Sequence, residues 1–181
     1  MTSTLEHRLA ILEAKTEIAE LLTRYCVAID DRDFPGIESC FTVDGQLIGK
    51  DGREPGVGRD AVLARYRARF RDLGPTCHWT HNHVITVNPE TLTDATGLVL
   101  SHAAIWRGGK AHVASLRYED VYRHEDGAWR IASRTTGFFY YLPVAEYAEG
   151  LGDTLRMRAY GDRRPANFPE PLASWQTWDR A

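Results

Sequence analysis

The sequence predicts an α+β domain in which a curved, mainly antiparallel sheet forms a cone-shaped barrel with the N-terminal helices packed on it. Three observations predict it. Three segments with helical spacing or caps, interrupted by one strand and a loop, fall within the first 70 positions, and from residue 78 onward four stretches rich in β-branched and aromatic residues follow one another. Two of the breaks between those stretches, Gly108-Gly109 and Asp126-Gly127, are strong hairpin signals. Helices gathered ahead of a run of antiparallel strands give α+β layering, and the mouth of such a cone is a natural site for a small apolar ligand.

The elements follow in order. Residues 5–29 carry Ile18, Leu21, Leu22, Tyr25 and Ile29 at offsets of three and four, one buried stripe of a helix. Asp30-Asp31-Arg32-Asp33 ends the stripe, and Asp33 is placed to cap a short second helix through Pro35, Gly36 and Ile37. Phe41 to Ile48 reads as a first strand with a turn-like Asp44-Gly45, and Gly49 to Gly58 as a loop. Val62, Leu63, Tyr66 and Phe70 mark one side of a third helix, with five arginines elsewhere on it. The strands expected next are 79–87, 95–106, 111–123 and 128–136, the last three forming a meander. Residues 143–181 hold four of the eight prolines plus Trp175 and Trp178. They are expected to form a tail that covers the pocket or reaches a neighbouring subunit, leaving 1–142 as the domain.

Composition narrows the function classes. The 181 residues include 22 Lys and Arg against 25 Asp and Glu, for a net charge of −3, with 43% hydrophobic and 26% charged residues. That is ordinary globular composition. With no basic run, there is no electrostatic footprint for nucleic acid. No stretch approaches the roughly 18–20 apolar residues that span a bilayer. The charged start Met1-Thr-Ser-Thr-Leu-Glu-His-Arg lacks the apolar run of a secretory signal, and Cys26, Cys40 and Cys77 are too few and too widely spaced for a disulfide framework. A cytoplasmic protein acting on a small molecule is expected, with no nucleic-acid or membrane partner.

Asp30 with His78 is the candidate catalytic pair. Asp30 ends the long helix and His78 opens the strand region, so both can enter the cone from opposite walls; a carboxylate beside an imidazole fixes its tautomer and makes it a general base. A solvated helix-end acid is the plain alternative for Asp30. Tyr25 is either a core tyrosine or a pocket acid, and Arg134 either a surface arginine or an anion binder at the inner end of a strand. The run Phe138-Phe139-Tyr140-Tyr141 supplies core or pocket wall, with Phe138 and Tyr140 expected at the substrate. His81 and His83 share a strand face, barring a bulge, and with His102 or His112 they compose the only metal reading; no carboxylate or cysteine accompanies them at a recognisable spacing, and no metal is expected.

Three blocks together resemble a known family: Leu22-Thr-Arg-Tyr25-Cys-Val-Ala-Ile-Asp30-Asp-Arg-Asp33, then Cys77-His78-Trp-Thr-His-Asn82, then the run from Arg117 to Arg134 with its Tyr-x-Asp-x-Tyr-x-x-x-Asp-Gly-x-Trp pattern. Over roughly residues 8–142 the chain resembles the SnoaL-like branch of the nuclear-transport-factor-2-like superfamily. It is most similar there to hexachlorocyclohexane dehydrochlorinase, bile-acid 7-alpha-dehydratase and scytalone dehydratase. The resemblance implies an α+β cone and an Asp–His dyad working without metal or organic cofactor. It puts the aspartate at Asp30, the base at His78, an arginine near the leaving group at Arg134 and a pocket tyrosine at Tyr25. Two departures stand out. Leu47-Ile48-Gly49 offers no first-strand tyrosine, and Ala103 replaces an aspartate, leaving His102 beside it as a substitute donor.

The expected function is therefore a cofactor-free lyase that abstracts a proton and eliminates a leaving group, dehydratase-like or by retro-aldol C–C cleavage, from an apolar cyclic or aromatic molecule. The same dyad suits an isomerase or polyketide cyclase, and the fold also serves as a non-enzymatic binding module. An open cone and a Trp-bearing tail point to a homo-oligomer, with a trimer favoured over a dimer by the resemblance.

Overall fold

The structure, a computed structural model, describes residues 4–50 and 54–178. Helix α1 (Leu5–Asp31) is capped by Thr4, whose hydroxyl accepts the His7 N–H at 3.2 Å, and buries Ile18, Leu21, Leu22, Tyr25 and Ile29 as the spacing predicts. Helix α2 (Phe34–Ser39) carries Pro35 in its first turn. Asp33 stands at its N-cap but makes no side-chain cap bond; its carbonyl accepts from Ile37 at 2.8 Å instead. Strand β1 (Phe41–Gly49) follows, then a two-residue strand β2 (Gly56–Val57) inside the expected loop. Helix α3 (Arg59–Phe70) and the long strands β3 (Leu73–Val87), β4 (Asp94–Arg107), β5 (Lys110–Glu125) and β6 (Ala128–Pro143) complete the domain.

The six strands form one curved, unclosed sheet in the order β2-β1-β6-β5-β4-β3, antiparallel throughout except where β1 runs parallel to β6. Both hairpin turns are present, with Gly108 and Gly109, and Asp126 and Gly127, all at positive φ, as a two-residue turn matched to the strand twist requires. Helix α1 crosses β3 and β6 while α3 sits on β1 and β2. The core lies between these helices and the inner sheet face, with Ile18, Leu21, Phe41, Val99, Ile131 and Tyr141 withdrawn from water.

All four long strands, β3 to β6, outrun the expected bounds, two of them by six residues or more. Strand β3 begins at Leu73, ahead of the expected Trp79, because it is an edge strand. Pro75 is tolerated there at a register shift between Leu73 and Thr76, since an edge needs no outward ladder bond. Strand β6 runs on through the aromatic stretch to Pro143, so His78 and Arg134 both lie mid-strand. Beyond it, the tail turns back on its own domain. Tyr141 N–H donates to the Arg156 carbonyl at 2.9 Å and Arg158 N–H to the Tyr141 carbonyl at 2.9 Å, while Phe168 stacks on Phe139.

Candidate active site

The last turn of α1 builds one wall of the site. Arg32 closes the helix in the left-handed region (φ 59°), where a residue with a Cβ is uncommon, and its side chain supplies the compensation. Its guanidinium donates to the Ile29 carbonyl at 2.8 Å, to the Thr76 hydroxyl at 3.0 Å and to the Gly74 carbonyl at 2.7 Å, fastening the helix end to β3. Asp30 therefore faces Thr76 and His78, which share a strand face two residues apart.

The Asp30 carboxylate is fully engaged. Oδ1 accepts from His78 Nδ1 and from the Thr76 hydroxyl, both at 2.7 Å, and Oδ2 accepts from the His78 backbone N–H at 2.6 Å. Burial works to raise this carboxyl. The bonds from His78 and Thr76 outweigh it and hold the group below its ordinary value of 3.8, so Asp30 is ionised near neutrality. A carboxylate on Nδ1 selects the tautomer with the proton on that nitrogen, which leaves Nε2 with a free lone pair. Among the described residues Nε2 has no partner, and the ring lines the cavity of the cone. In the ladder His78 lies opposite buried Ala103, whose methyl leaves the imidazole room.

The enclosed cavity is small, about 40 Å³ at its centre, and opens into about 660 Å³ that includes solvent at the mouth, with Ile29, Phe70, Leu73, Ile105, Leu116 and Phe138 as apolar wall. Tyr25 and Tyr66 reach it from α1 and α3 with their hydroxyls hydrogen-bonded to each other, either able to donate. Burial raises both phenols above the ordinary 10, and each stays neutral as a proton donor.

Arg134 lies behind this wall and does not line the cavity. It stands on the inner face of β6 directly opposite Asp120 on β5, whose carboxylate accepts from Nε at 2.9 Å and from Nη2 at 2.6 Å. Its guanidinium lies 4.2 Å from the ring centres of both Tyr25 and Tyr118, and Tyr122 donates to Asp120 at 2.6 Å. Burial opposes the charge on Arg134, and Asp120 more than restores it. The neighbourhood expected for a leaving group is thus occupied by a protein carboxylate.

Of the expected substrate contacts, Phe138 lines the cavity and His102 and Tyr140 do not. Alternation turns His102 to the outer face, and a bulge at Phe139, where Tyr140 pairs with Ser115 but Phe138 with Leu116, sends Tyr140 there too; the His102 ring lies 5.1 Å from that of His81 and 6.2 Å from that of Tyr140. A bulge in β3 between Thr80 and His83 separates the histidines: His81 meets His102 outside, while His83 pairs with Val99, whose side chain is in the core. His112 Nδ1 donates to the Lys110 carbonyl at 3.1 Å. Among the described residues no three His, Cys, Asp or Glu side chains gather to hold a metal ion.

Five further residues join the site without having been singled out: Thr76, Tyr66, Arg32, Arg65 and Arg69. Thr76 was signalled by its place two residues before His78, on the same strand face. Tyr66 reads as core by spacing, and only its hydroxyl partner distinguishes it. Arg65 and Arg69 share a helix face with Tyr66 and Phe70 at offsets of one to five, so the apolar side of α3 carries cations at its edge.

The SnoaL-like domain matches residues 10–135, from the first turns of α1 into β6. The chain belongs to the SnoaL-like family. No curated protein matches this SnoaL-like chain in sequence. Among solved structures it is similar to a hexachlorocyclohexane dehydrochlorinase, LinA type 2 (TM-score 0.70, 16% identity, covering 76% of this chain and 93% of that one). It is also similar to a scytalone dehydratase candidate from Novosphingobium aromaticivorans (0.68, 17%, 74% and 89%). A protein of unknown function from Mycobacterium tuberculosis has a higher identity (0.62, 28%, 82% and 82%). These likenesses agree on the SnoaL-like, nuclear-transport-factor-2-like fold. No described helix is long and apolar enough to cross a membrane.

Proposed function

We propose that this SnoaL-like protein is a cofactor-free lyase in which His78, oriented by Asp30, abstracts a proton from a mostly apolar cyclic or aromatic small molecule. The observation that carries this reading is the 2.7 Å contact between Asp30 Oδ1 and His78 Nδ1 at the wall of an apolar cavity, with the opposite ring nitrogen unengaged. A base so placed contributes about 10²–10⁴-fold, and exclusion of water with fixed orientation supplies the rest. As the proton moves to Nε2, the imidazolium is stabilised by the ionised Asp30. The departing hydroxyl or other anion takes a proton or hydrogen bond from Tyr25, itself backed by Tyr66, and the C–O or equivalent bond breaks as the new double bond forms. Arg134 serves in this scheme as a positioning residue that holds Tyr25 against its guanidinium face. Isomerisation or ring closure shares the first step and differs only in where the proton returns.

The reading includes a homo-oligomer, a trimer in preference to a dimer. It is supported by an outer sheet face on which Trp79, Val84, Leu98, Leu100 and Trp106 are exposed, and by exposed Trp175 and Trp178 on the tail. A cytoplasmic setting is supported by three unpaired cysteines.

The test is a panel of cyclic β-hydroxy and β-halo carbonyl compounds, assayed for elimination with dialysed, chelator-treated enzyme. Turnover that falls at least about a hundredfold in His78→Gln and in Asp30→Asn, both still folded, supports the reading. Equal turnover in wild type and His78→Gln overturns it.

A further inference from the structure

The cavity holds more positive charge than its own residues neutralise. Arg32, Arg65 and Arg69 all line it and no carboxylate is among its described lining residues; Asp30, behind His78, is already engaged by three hydrogen bonds from Thr76 and His78. Arg32 and Arg65 donate only to neutral acceptors: Arg32 to the Ile29 and Gly74 carbonyls and the Thr76 hydroxyl, Arg65 to the Leu47 and Glu54 carbonyls. Those bonds fix the side chains without an ion-paired carboxylate; Arg32 feels the Asp30 charge across the Thr76 hydroxyl, while Arg65 has no acidic hydrogen-bond partner among the described residues. Arg69 has no hydrogen-bonded or ion-paired partner among the described residues. The titratable groups around it are the phenols of Tyr160, Tyr66, Tyr141 and Tyr25.

This contrasts with the rest of the chain. Its fully buried arginines each hold a carboxylate, Arg134 that of Asp120 and Arg156 that of Glu170. Removing a guanidinium from water without a counter-ion is costly, and a half-buried arginine left unpaired in a cavity is a place where an incoming anion recovers that cost. The planar fork of five N–H donors matches a carboxylate in two parallel bonds. Arg69 lies in the last turn of α3, where the helix dipole is negative and adds nothing towards the greater charge of a phosphate.

Building on the reading of this cavity as the active site, we infer that its substrate carries a carboxylate on its ring scaffold, received by Arg69 with Arg32 and Arg65 supplying the surrounding positive field. The carboxylate end is anchored near α3 while the apolar body extends along Phe70, Ile105 and Phe138. The reacting carbon is thereby set at a fixed distance from His78.

The experiment is a ligand titration, followed by NMR, of the whole protein with benzoate, benzamide, cyclohexanecarboxylate and phenyl phosphate, compounds that need no turnover. Wild type is expected to bind each carboxylate at least tenfold more tightly than benzamide, with the His78 ring resonances moving. Arg69→Gln is expected to bring benzoate and benzamide within twofold of each other, and Arg69→Lys to keep part of the preference. The same preference in His78→Asn shows that it is independent of catalysis, so failure of the lyase reading leaves it standing. Equal binding of benzoate and benzamide by wild type overturns the inference, and so does a folded Arg69→Gln that keeps the preference. Tighter binding of phenyl phosphate than of benzoate overturns the carboxylate assignment. The wild-type comparison decides the matter even if Arg69→Gln does not fold.

Discussion

Arg134 and Asp120 face each other across the β5–β6 ladder and join through two hydrogen bonds of 2.9 and 2.6 Å, with both side chains fully withdrawn from water. The pair lies between the cavity-facing tyrosines and the Tyr122 hydroxyl, so it is the floor on which Tyr25 and Tyr118 rest. Taking away one partner strands a charge in the core. Asp120→Asn and Arg134→Met are each expected to lose about 3–5 kcal/mol, seen as a fall of roughly 10 °C or more in Tm. Replacing both at once is expected to cost less than the sum of the single changes, which a double-mutant cycle by denaturant unfolding checks.

The Asp30 carboxyl titrates below its ordinary 3.8 in the folded protein. A group with a depressed folded pKa contributes stability that is complete above the unfolded value and disappears as pH falls through the folded one. Wild type is therefore expected to lose stability below about pH 4 more steeply than Asp30→Asn, whose acid limb lacks this contribution. Thermal melts from pH 6 to pH 2.5 check it; parallel curves for the two proteins refute it.

Tyr25 and Tyr66 satisfy each other's buried hydroxyls. Removing either with phenylalanine leaves the other without that partner and is expected to cost about 1–3 kcal/mol, while the double variant Tyr25→Phe/Tyr66→Phe is expected to be no worse than the weaker single. Denaturant midpoints measure the stabilities. Elimination from substrates with poor leaving groups is expected to fall in both single variants and to fall less when the leaving group is chloride, which needs no proton.

Thr76 receives from Arg32 and donates to Asp30, and so links the helix end to the dyad. Thr76→Val is expected to lower kcat about tenfold with KM little changed and to move the acidic limb of the pH–rate profile upward, because Asp30 loses a bond that favours its charged form. Thr76→Ser, which keeps the hydroxyl, is expected to restore both; restoration of neither shows that Thr76 acts only through packing.

The proposed homo-oligomer is assigned to the apolar outer sheet face. A double change of exposed residues, Trp79→Glu with Trp106→Lys, is expected to yield a monomer by size-exclusion chromatography with light scattering while wild type runs as a trimer. A wild-type monomer refutes the expectation outright.

The alternation of helical and strand patterns made the element order, the hairpin turns and the stripe of α1 readable in the residues themselves. The register of the sheet was not, because bulges leave no composition signal. Counting from the Asp126-Gly127 turn, an unbroken ladder sets Asp120 opposite Ser133; the shift between Val121 and Tyr122 brings Arg134 there instead. One residue of slip converts an expected anion binder into a buried ion pair. The bulge after Thr80 acts similarly on the histidine cluster, sending His81 and His83 to opposite faces. Asp30 and His78 are legible as a pair from the helix end and the strand start, a reading the resemblance strengthens, but their contact depends on the left-handed Arg32, which no local pattern announces.

His78 rides on β3, which has a ladder partner on one side only. Its remaining support is α1, chiefly through Asp30, Arg32 and the buried stripe of the helix. The proposed base is thus carried by a part of the sheet that can peel away while the β4–β5–β6 meander stays folded. Amide protection is expected to be graded across the sheet, weakest along β3. Inactivation by denaturant is expected to precede the loss of far-ultraviolet dichroism, so the molecule would cease to catalyse before it ceases to be folded.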